Sequence, residues 1–171
     1  MKTGKFLILF FAISLTLGCN KDDSPADNDP EEFFSATVVD TEGSFNFEAT
    51  KNGITDYMTA RTQGSLEDTR LQLRAKNFDD FLDIQFEIRG FQGSGTYTSG
   101  DREDNPNIMR FGLNRATIWW NSGGFIHQQV TTGTLTIDDS GTFLQGTFSF
   151  QAYRQTTYKQ VNGSFKVRKD Y

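Results

Sequence analysis

The stretch Gly146-Thr147-Phe148-Ser149-Phe150-Gln151-Ala152 alternates polar and apolar side chains from Thr147 to Ala152. Successive side chains on a β-strand point to opposite faces, so a period of two places one row in a core and the other in water. The two phenylalanines add large apolar surfaces to the inward row. The stretch therefore predicts a half-buried β-strand.

The same alternation recurs on both sides of this stretch, and no segment from Phe33 onward shows a convincing helical period. The further runs are Ser44–Ala49, Leu71–Ala75, Asp83–Ile88, Thr134–Asp138 and Ser164–Arg168. Four segments rich in Asn, Asp or Gly are typical of turns between them: Lys51–Gly53, Asn77–Asp80, Asp138–Gly141 and Asn162–Gly163. This spacing predicts an all-β fold, a single antiparallel β-sandwich or barrel-like domain. The chain has 17 phenylalanines, so we expect aromatic packing to dominate the core.

The N-terminus resembles a bacterial lipoprotein signal. Two lysines precede an apolar run from Phe6 to Leu17, which is too short to cross a membrane as a helix. Small Gly18 then precedes Cys19, the only cysteine. The resemblance implies that residues 1–18 are a signal peptide and that Cys19 is lipidated, which anchors the chain to a membrane. The alternative is an ordinary secretory signal that leaves a free thiol.

Residues 19–32 follow as the lipidated cysteine and a tether, and residues 33–171 form the predicted domain. Segment 20–32 holds six acidic residues and one lysine, with no large apolar side chain, so we expect it to be disordered. Within it, Lys21-Asp22-Asp23 resembles the signal by which Bacteroidota export lipoproteins to the cell surface. An outer-membrane anchor with surface display is therefore expected, and a periplasm-facing anchor is the alternative.

Charge is concentrated in the tether. The whole chain has a formal net charge of −5, whereas residues 33–171 carry 14 basic and 16 acidic residues and are nearly neutral. No basic cluster stands out along the sequence, and phosphate binding depends on clustered Lys and Arg. We therefore expect no nucleic acid among the partners.

Common catalytic and metal-binding patterns are missing from the sequence. His127 is the only histidine, and no Gly-x-Ser-x-Gly motif occurs, so a Ser or Cys triad and a Cys/His zinc site are not expected. The acids Asp79, Asp80, Asp83 and Glu87 could form a glycosidase pair, but solvent exposure and a turn explain them adequately. We therefore expect no cofactor and no enzyme activity.

Asp101–Asn107 places oxygen-bearing side chains at alternating positions, as calcium loops do. Pro106 stands where an EF-hand loop has its glycine, and Gly112 stands where such a loop has its glutamate. A solvated hairpin loop is the simpler interpretation, and we predict no metal site.

Trp119 and Trp120 are the strongest candidates for ligand contact. As neighbours on a strand they should point to opposite faces, with one indole in the core and the other outside. Arg115, Asn114, Asn121 and Tyr97 could lie near the outer indole, and aromatic rings beside amides and arginine are suited to binding sugars. The alternative is that the outer tryptophan only covers an edge or a loop.

Four segments follow one another in the C-terminal half: Gly93–Thr98, Thr132–Asp138, Gly146–Ala152 and Val161–Val167. Together with the acidic lipoprotein-like start, their order resembles a family of uncharacterised Bacteroidota lipoproteins, over roughly residues 34–168 and most clearly from Gly93 onward. The resemblance implies an all-β, lipid-anchored protein with one domain, and it supplies no catalytic residues.

These observations favour a lipid-anchored, non-catalytic binding module for a glycan, a peptide or a partner protein. Two alternatives stay open: an accessory subunit of an envelope complex and a carboxylate-dependent hydrolase.

Overall fold

The computed structural model describes residues 32–50, 56–63, 69–100, 105–113, 117–123 and 131–170. Every regular element within these ranges is a β-strand, which confirms the predicted all-β class. The strands are β1 (Phe33–Asp40), β2 (Gly43–Thr50), β3 (Asp56–Gln63), β4 (Arg70–Asn77), β5 (Leu82–Arg89), β6 (Gly95–Ser99), β7 (Ile108–Leu113), β8 (Ile118–Ser122), β9 (Gly133–Ser140), β10 (Phe143–Arg154) and β11 (Thr157–Asp170).

β10 pairs along its whole length with residues 157–168 of β11, and these two long strands are the centre of the sheet. On one side β10 continues through β9 to β6, and on the other β11 continues through β1 to β2. A second group of neighbours runs β3-β4-β5-β7-β8. Two short contacts join the groups: β11 with β3, and β10 with β8 at Tyr153 and Asn121. The hydrogen-bonded circuit therefore closes, and the fold is a barrel-like sandwich.

The contact between β11 and β3 is parallel, whereas the other pairings of the described strands are antiparallel. β11 pairs with β1 up to Lys166, and its last residues run on to meet β3 at Lys169 and Asp170. The predicted antiparallel arrangement therefore holds for these other pairings, and the sheet is mixed at this corner. β11 has 14 residues and β1 has only eight, so β11 extends beyond β1 and pairs with a second strand.

Phenylalanines from facing strands fill the space between the two groups. Phe86 of β5 stacks on Phe34 of β1 with ring centroids 6.0 Å apart, and it lies 5.0 Å from Phe148 of β10. Such offset and tilted pairs add to the free energy gained from burial alone. The predicted aromatic core is therefore confirmed.

Asn162–Gly163 is not a turn, because both residues lie inside β11. A Cβ at Gly163 would stand 2.2 Å from the Ser35 carbonyl oxygen and 2.4 Å from the Phe148 ring, so the glycine is needed for close packing. The chain reverses instead at Gln155, whose φ is 58°. Of the other predicted turns, the one at Asn77–Asp80 is confirmed, the one after Asp138 begins only at Gly141, and Lys51–Gly53 lies outside the described residues.

Candidate functional site

Trp119 and Trp120 lie on opposite faces of β8, as the strand alternation predicted. Trp120 belongs to the core and is only 8% exposed. Its Nε1 donates a 2.9 Å hydrogen bond to Thr157 Oγ1, and its ring lies 6.1 Å from Phe111. Trp119 is half-buried on the outer face. Only Trp119 is thus placed to meet a ligand from solvent.

Lys159 packs at the edge of the core beside Trp120. Its Nζ lies 4.8 Å from the centroid of the Trp120 ring and 5.8 Å from that of Phe45, and it forms an ion pair with Asp40. The hydrogen bond from Lys159 holds the pKa of Asp40 below its ordinary value. Sequence patterns did not single out this cluster, because its members come from strands far apart in the chain. It stabilises the core and leaves no opening at Trp120.

The outer surface of β3, β4, β5, β7 and β8 carries a different set of side chains, which we call the Arg110 face. Its members follow from strand alternation and register. They are Arg61, Gln63, Arg70, Gln72, Arg74, Lys76, Asp83, Gln85, Glu87, Arg89, Ile108, Arg110, Gly112, Trp119 and Asn121. Asn121 was predicted to lie near the outer tryptophan, and the structure places it on this face.

Trp119, Gly112 and Asp83 are neighbours across three adjacent strands of the Arg110 face. A Cβ at Gly112 would stand 3.0 Å from Cζ3 of the Trp119 indole and 3.3 Å from the Cβ of Asp83. The indole therefore leans over the glycine toward Asp83. Glycine inside a strand often marks such a close approach, and this is the sequence signal that could have identified the position of Trp119.

Asp83 is buried, although its place on an outward row predicted solvent exposure. The side chain is 3% exposed, and its carboxylate accepts hydrogen bonds from Arg74 Nε at 3.0 and 3.2 Å. Lys76 Nζ lies 3.9 Å away. The exposure prediction was wrong because long neighbouring side chains cover this short one. Burial raises the pKa of Asp83 above its ordinary value, against the opposing effect of Arg74 and Lys76.

The acids considered for catalysis do not meet as a pair on β5. Asp83 and Glu87 are four residues apart on one strand, which separates their Cα atoms by about 13 Å. Glycosidase carboxylates lie about 5–10 Å apart. Glu87 instead faces Arg70 at 3.4 Å and Arg89 at 3.9 Å. Asp79 and Asp80 are exposed in the β4–β5 turn, as predicted, where the Asp80 amide donates to Asn77 Oδ1.

Arg110 is a basic residue of this face with a shielded donor that lacks a hydrogen-bond partner among the described residues. It stands on β7 between Gln85 of β5 and Asn121 of β8. Its Nε is shielded from solvent, and it finds no hydrogen-bond acceptor in the described part of the chain. A shielded N–H without an acceptor costs about 1–3 kcal/mol, and in native proteins such a group is commonly satisfied by a water, an ion or a ligand.

The opposite outer surface, on β1, β11, β10, β9 and β6, shows what an ordinary solvent face looks like in this fold. Two rows cross these five strands and contain no charged residue. They are Ser35, Ser164, Thr147, Thr136 and Thr96, followed by Thr37, Asn162, Ser149, Thr134 and Thr98. Their side chains bond one another, as Ser149 Oγ does to Asn162 Oδ1 at 2.7 Å. We call this surface the hydroxyl face.

Tyr97 does not join Trp119. It lies on the core-facing row of β6, where its ring packs 5.6 Å from Phe91. Its hydroxyl donates to the Gly93 carbonyl at 2.8 Å and accepts from the Gln92 amide. These contacts give Tyr97 a role in the turn that precedes β6. The other predicted residues lie outside the described ranges: Cys19, Lys21, Asp22, Asp23, Asn114, Arg115 and His127.

In the loop that was compared with calcium-binding loops, the described residues form hydrogen bonds within the protein. Asn105 Oδ1 accepts from the Asn107 amide at 3.1 Å, and Asn107 Oδ1 accepts from the Arg89 amide at 2.9 Å. Residues 101–104 lie outside the described ranges. Among the residues that the structure does describe, no group of three His, Cys, Asp or Glu could hold a metal ion.

The Arg110 face has to be interpreted from its own geometry. No family model matches the chain, and neither a curated protein nor a solved structure shows a significant match to it. Over the described ranges, no helix is long and apolar enough to cross a membrane.

Proposed function

We propose that this protein is a non-catalytic binding module that holds a glycan chain on the Arg110 face. The proposal has a second part, which the lipoprotein-like N-terminus supports: the protein is attached to the outer membrane through lipid on Cys19. The module would then work at the cell surface, as Lys21-Asp22-Asp23 indicates.

The observation that carries the proposal is the shielded Nε of Arg110, which has no acceptor among the described residues. A ligand oxygen placed over β7 would satisfy this donor and remove its desolvation cost. Gln85 and Asn121 flank Arg110 on the neighbouring strands and add amide donors and acceptors. The set matches the hydroxyl-rich surface of a sugar.

Trp119 supplies an apolar surface beside these polar groups. Its ring lies against the backbone of Gly112 and is half-buried, so we expect little conformational entropy to be lost when a ligand binds. Sugar rings present C–H groups that pack well on an indole. A rigid aromatic ring next to fixed hydrogen-bond donors is typical of small binding sites.

A glycan array that includes neutral and acidic chains tests the proposal with the full chain in detergent. We expect binding to a subset of glycans, with quenching of tryptophan emission on titration, and loss of both in Trp119→Ala. If no glycan on the array binds, the proposal is contradicted. A stoichiometric partner protein recovered from detergent extracts, with no glycan binding, would favour the accessory-subunit alternative.

A further inference from the structure

We infer that the glycan bound by the Arg110 face is acidic, with an anionic group on its sugars that pairs with the Arg110 guanidinium. This inference rests on the proposed function and adds the chemical class of the ligand.

The charge of the Arg110 face supports it. The described part of this face carries six basic residues and two acids. The basic residues are Arg61, Arg70, Arg74, Lys76, Arg89 and Arg110, and the acids are Asp83 and Glu87. Residues 33–171 as a whole are nearly neutral and slightly acidic, so this excess is local. The hydroxyl face has no charge in its two rows, which shows that the fold itself does not require basic residues on an outer face.

Both acids of the face are already engaged by cations. Asp83 is bound by Arg74 and lies near Lys76, and Glu87 lies near Arg70 and Arg89. Arg110 has no ion pair with an acid in the described chain, and its Nε has no acceptor there. Because Arg forms its strongest hydrogen bonds with anions that accept two parallel N–H groups, an anionic group is the best complement to Arg110.

Trp119 and Arg110 are placed to bind one sugar together. Trp119 lies opposite Gly112, and Arg110 is two residues farther along β7. Such diagonal positions on one face are about 7–8 Å apart. A sugar ring stacked on the indole can therefore direct an anionic substituent at the guanidinium. A neutral glycan would fill the aromatic position and leave the cation unpaired.

Matched polymers that differ in charge test the inference. The full chain in detergent is titrated with polygalacturonate and with its fully methyl-esterified form, and with dextran sulfate and dextran. We expect at least one acidic polymer to bind about tenfold or more tightly than its neutral counterpart, because hydrogen bonds to charged groups are the stronger ones. Added salt should weaken the acidic complex and leave any neutral complex unchanged.

Arg110 variants separate recognition by this residue from general attraction to positive charge. Arg110→Gln should lose about tenfold or more in affinity for the acidic polymer. Arg110→Lys should have an affinity between those of Arg110→Gln and the wild type, because lysine lacks the planar guanidinium that donates two parallel hydrogen bonds. Lys166→Gln makes the same change of charge on β11, where Lys166 lies over the Phe143 ring, and should bind normally. Thermal melts of each variant check that it is folded.

The outcomes distinguish the inference from the proposed function. Equal affinity for charged and neutral polymers would overturn the inference and leave glycan binding standing. Equal losses in Arg110→Gln and Lys166→Gln would also overturn it. Binding to neither acidic polymer would overturn the inference, and the glycan array decides separately whether the proposed function stands. A preference for dextran sulfate over polygalacturonate would support an acidic glycan and identify sulfate as its anionic group.

Discussion

The six-membered ring of the Trp119 indole lies against Gly112, on the neighbouring strand, where a side chain would otherwise stand. A Cβ built on Gly112 would be 3.0 Å from Cζ3 of the indole and 3.1 Å from Cε3. Real Cβ atoms rarely tolerate such distances, so the bare backbone of Gly112 determines how far the ring can lean. The orientation of the proposed sugar platform thus depends on a residue with no side chain.

Gly112→Ala should therefore displace the Trp119 ring. We expect a loss of about 1 kcal/mol in the free energy of unfolding from overpacking, a change in tryptophan emission and weaker glycan binding. Urea unfolding and fluorescence titration measure these effects. Gly100→Ala is the matched control, since a Cβ there meets no heavy atom within 4 Å. Unchanged emission and affinity in Gly112→Ala would show that the contact is unimportant.

The two tryptophans should separate binding from stability. Trp120→Phe removes the donor to Thr157 Oγ1 and part of a buried ring, so we expect about 1–3 kcal/mol less stability with ligand affinity retained. Trp119→Ala should retain its stability and lose ligand affinity. Thermal melts and ligand titrations on both variants check this. Loss of binding in Trp120→Phe at a temperature where it is fully folded would argue against the assignment.

The ion pair at the end of the core should show coupling between Lys159 and Asp40. Lys159→Met leaves the Asp40 carboxylate without its main partner, and we expect a loss of about 2 kcal/mol in the free energy of unfolding. Asp40→Asn combined with Lys159→Met should recover part of that loss, because no lone charge remains. A double-mutant cycle in urea measures the coupling energy. Strict additivity of the two variants would contradict the interaction.

Asp83 and Asp40 should influence acid stability with opposite signs. The raised pKa of Asp83 means that the folded state binds this proton more tightly than the unfolded state, so its contribution to stability grows as pH falls through the folded-state pKa toward 3.8. The lowered pKa of Asp40 means that its contribution is present above 3.8 and is lost as pH falls toward its folded-state value.

Unfolding at several pH values between about 3 and 6 tests these signs. Relative to wild type, the difference made by Asp83→Asn and that made by Asp40→Asn should change in opposite directions on acidification. NMR titration of the two carboxyl groups gives the same information directly. Parallel pH profiles for the two variants would contradict the assigned environments.

Cys19 should be required for membrane attachment. Cys19→Ala should abolish incorporation of radiolabelled fatty acid and release the protein from the membrane fraction. Replacing Lys21, Asp22 and Asp23 with alanine should leave lipid labelling intact and reduce access of external protease to the domain. If Cys19→Ala stays with the membrane, the anchor proposal fails.

Local alternation along the chain was enough to predict six of the strands, β2, β4, β5, β9, β10 and β11, and which side of each faces the core. Phe148 and Phe150 alternate with polar residues, and this local period is enough because strand geometry depends only on neighbouring positions. The same argument correctly separated Trp119 from Trp120. The turn prediction from residue types failed at Asn162–Gly163, because this glycine allows close packing within a long strand.

Which side chains meet follows from the folded structure and not from the pattern along the chain. Asp83 looks exposed from its alternation, yet its side chain is buried beside Arg74 and Lys76. Arg110 carries no sequence motif, and it becomes notable only because the register sets it among strands whose acids already have partners. Strand register and the reach of long side chains are properties of pairs of strands. A pattern read along a single strand does not contain them.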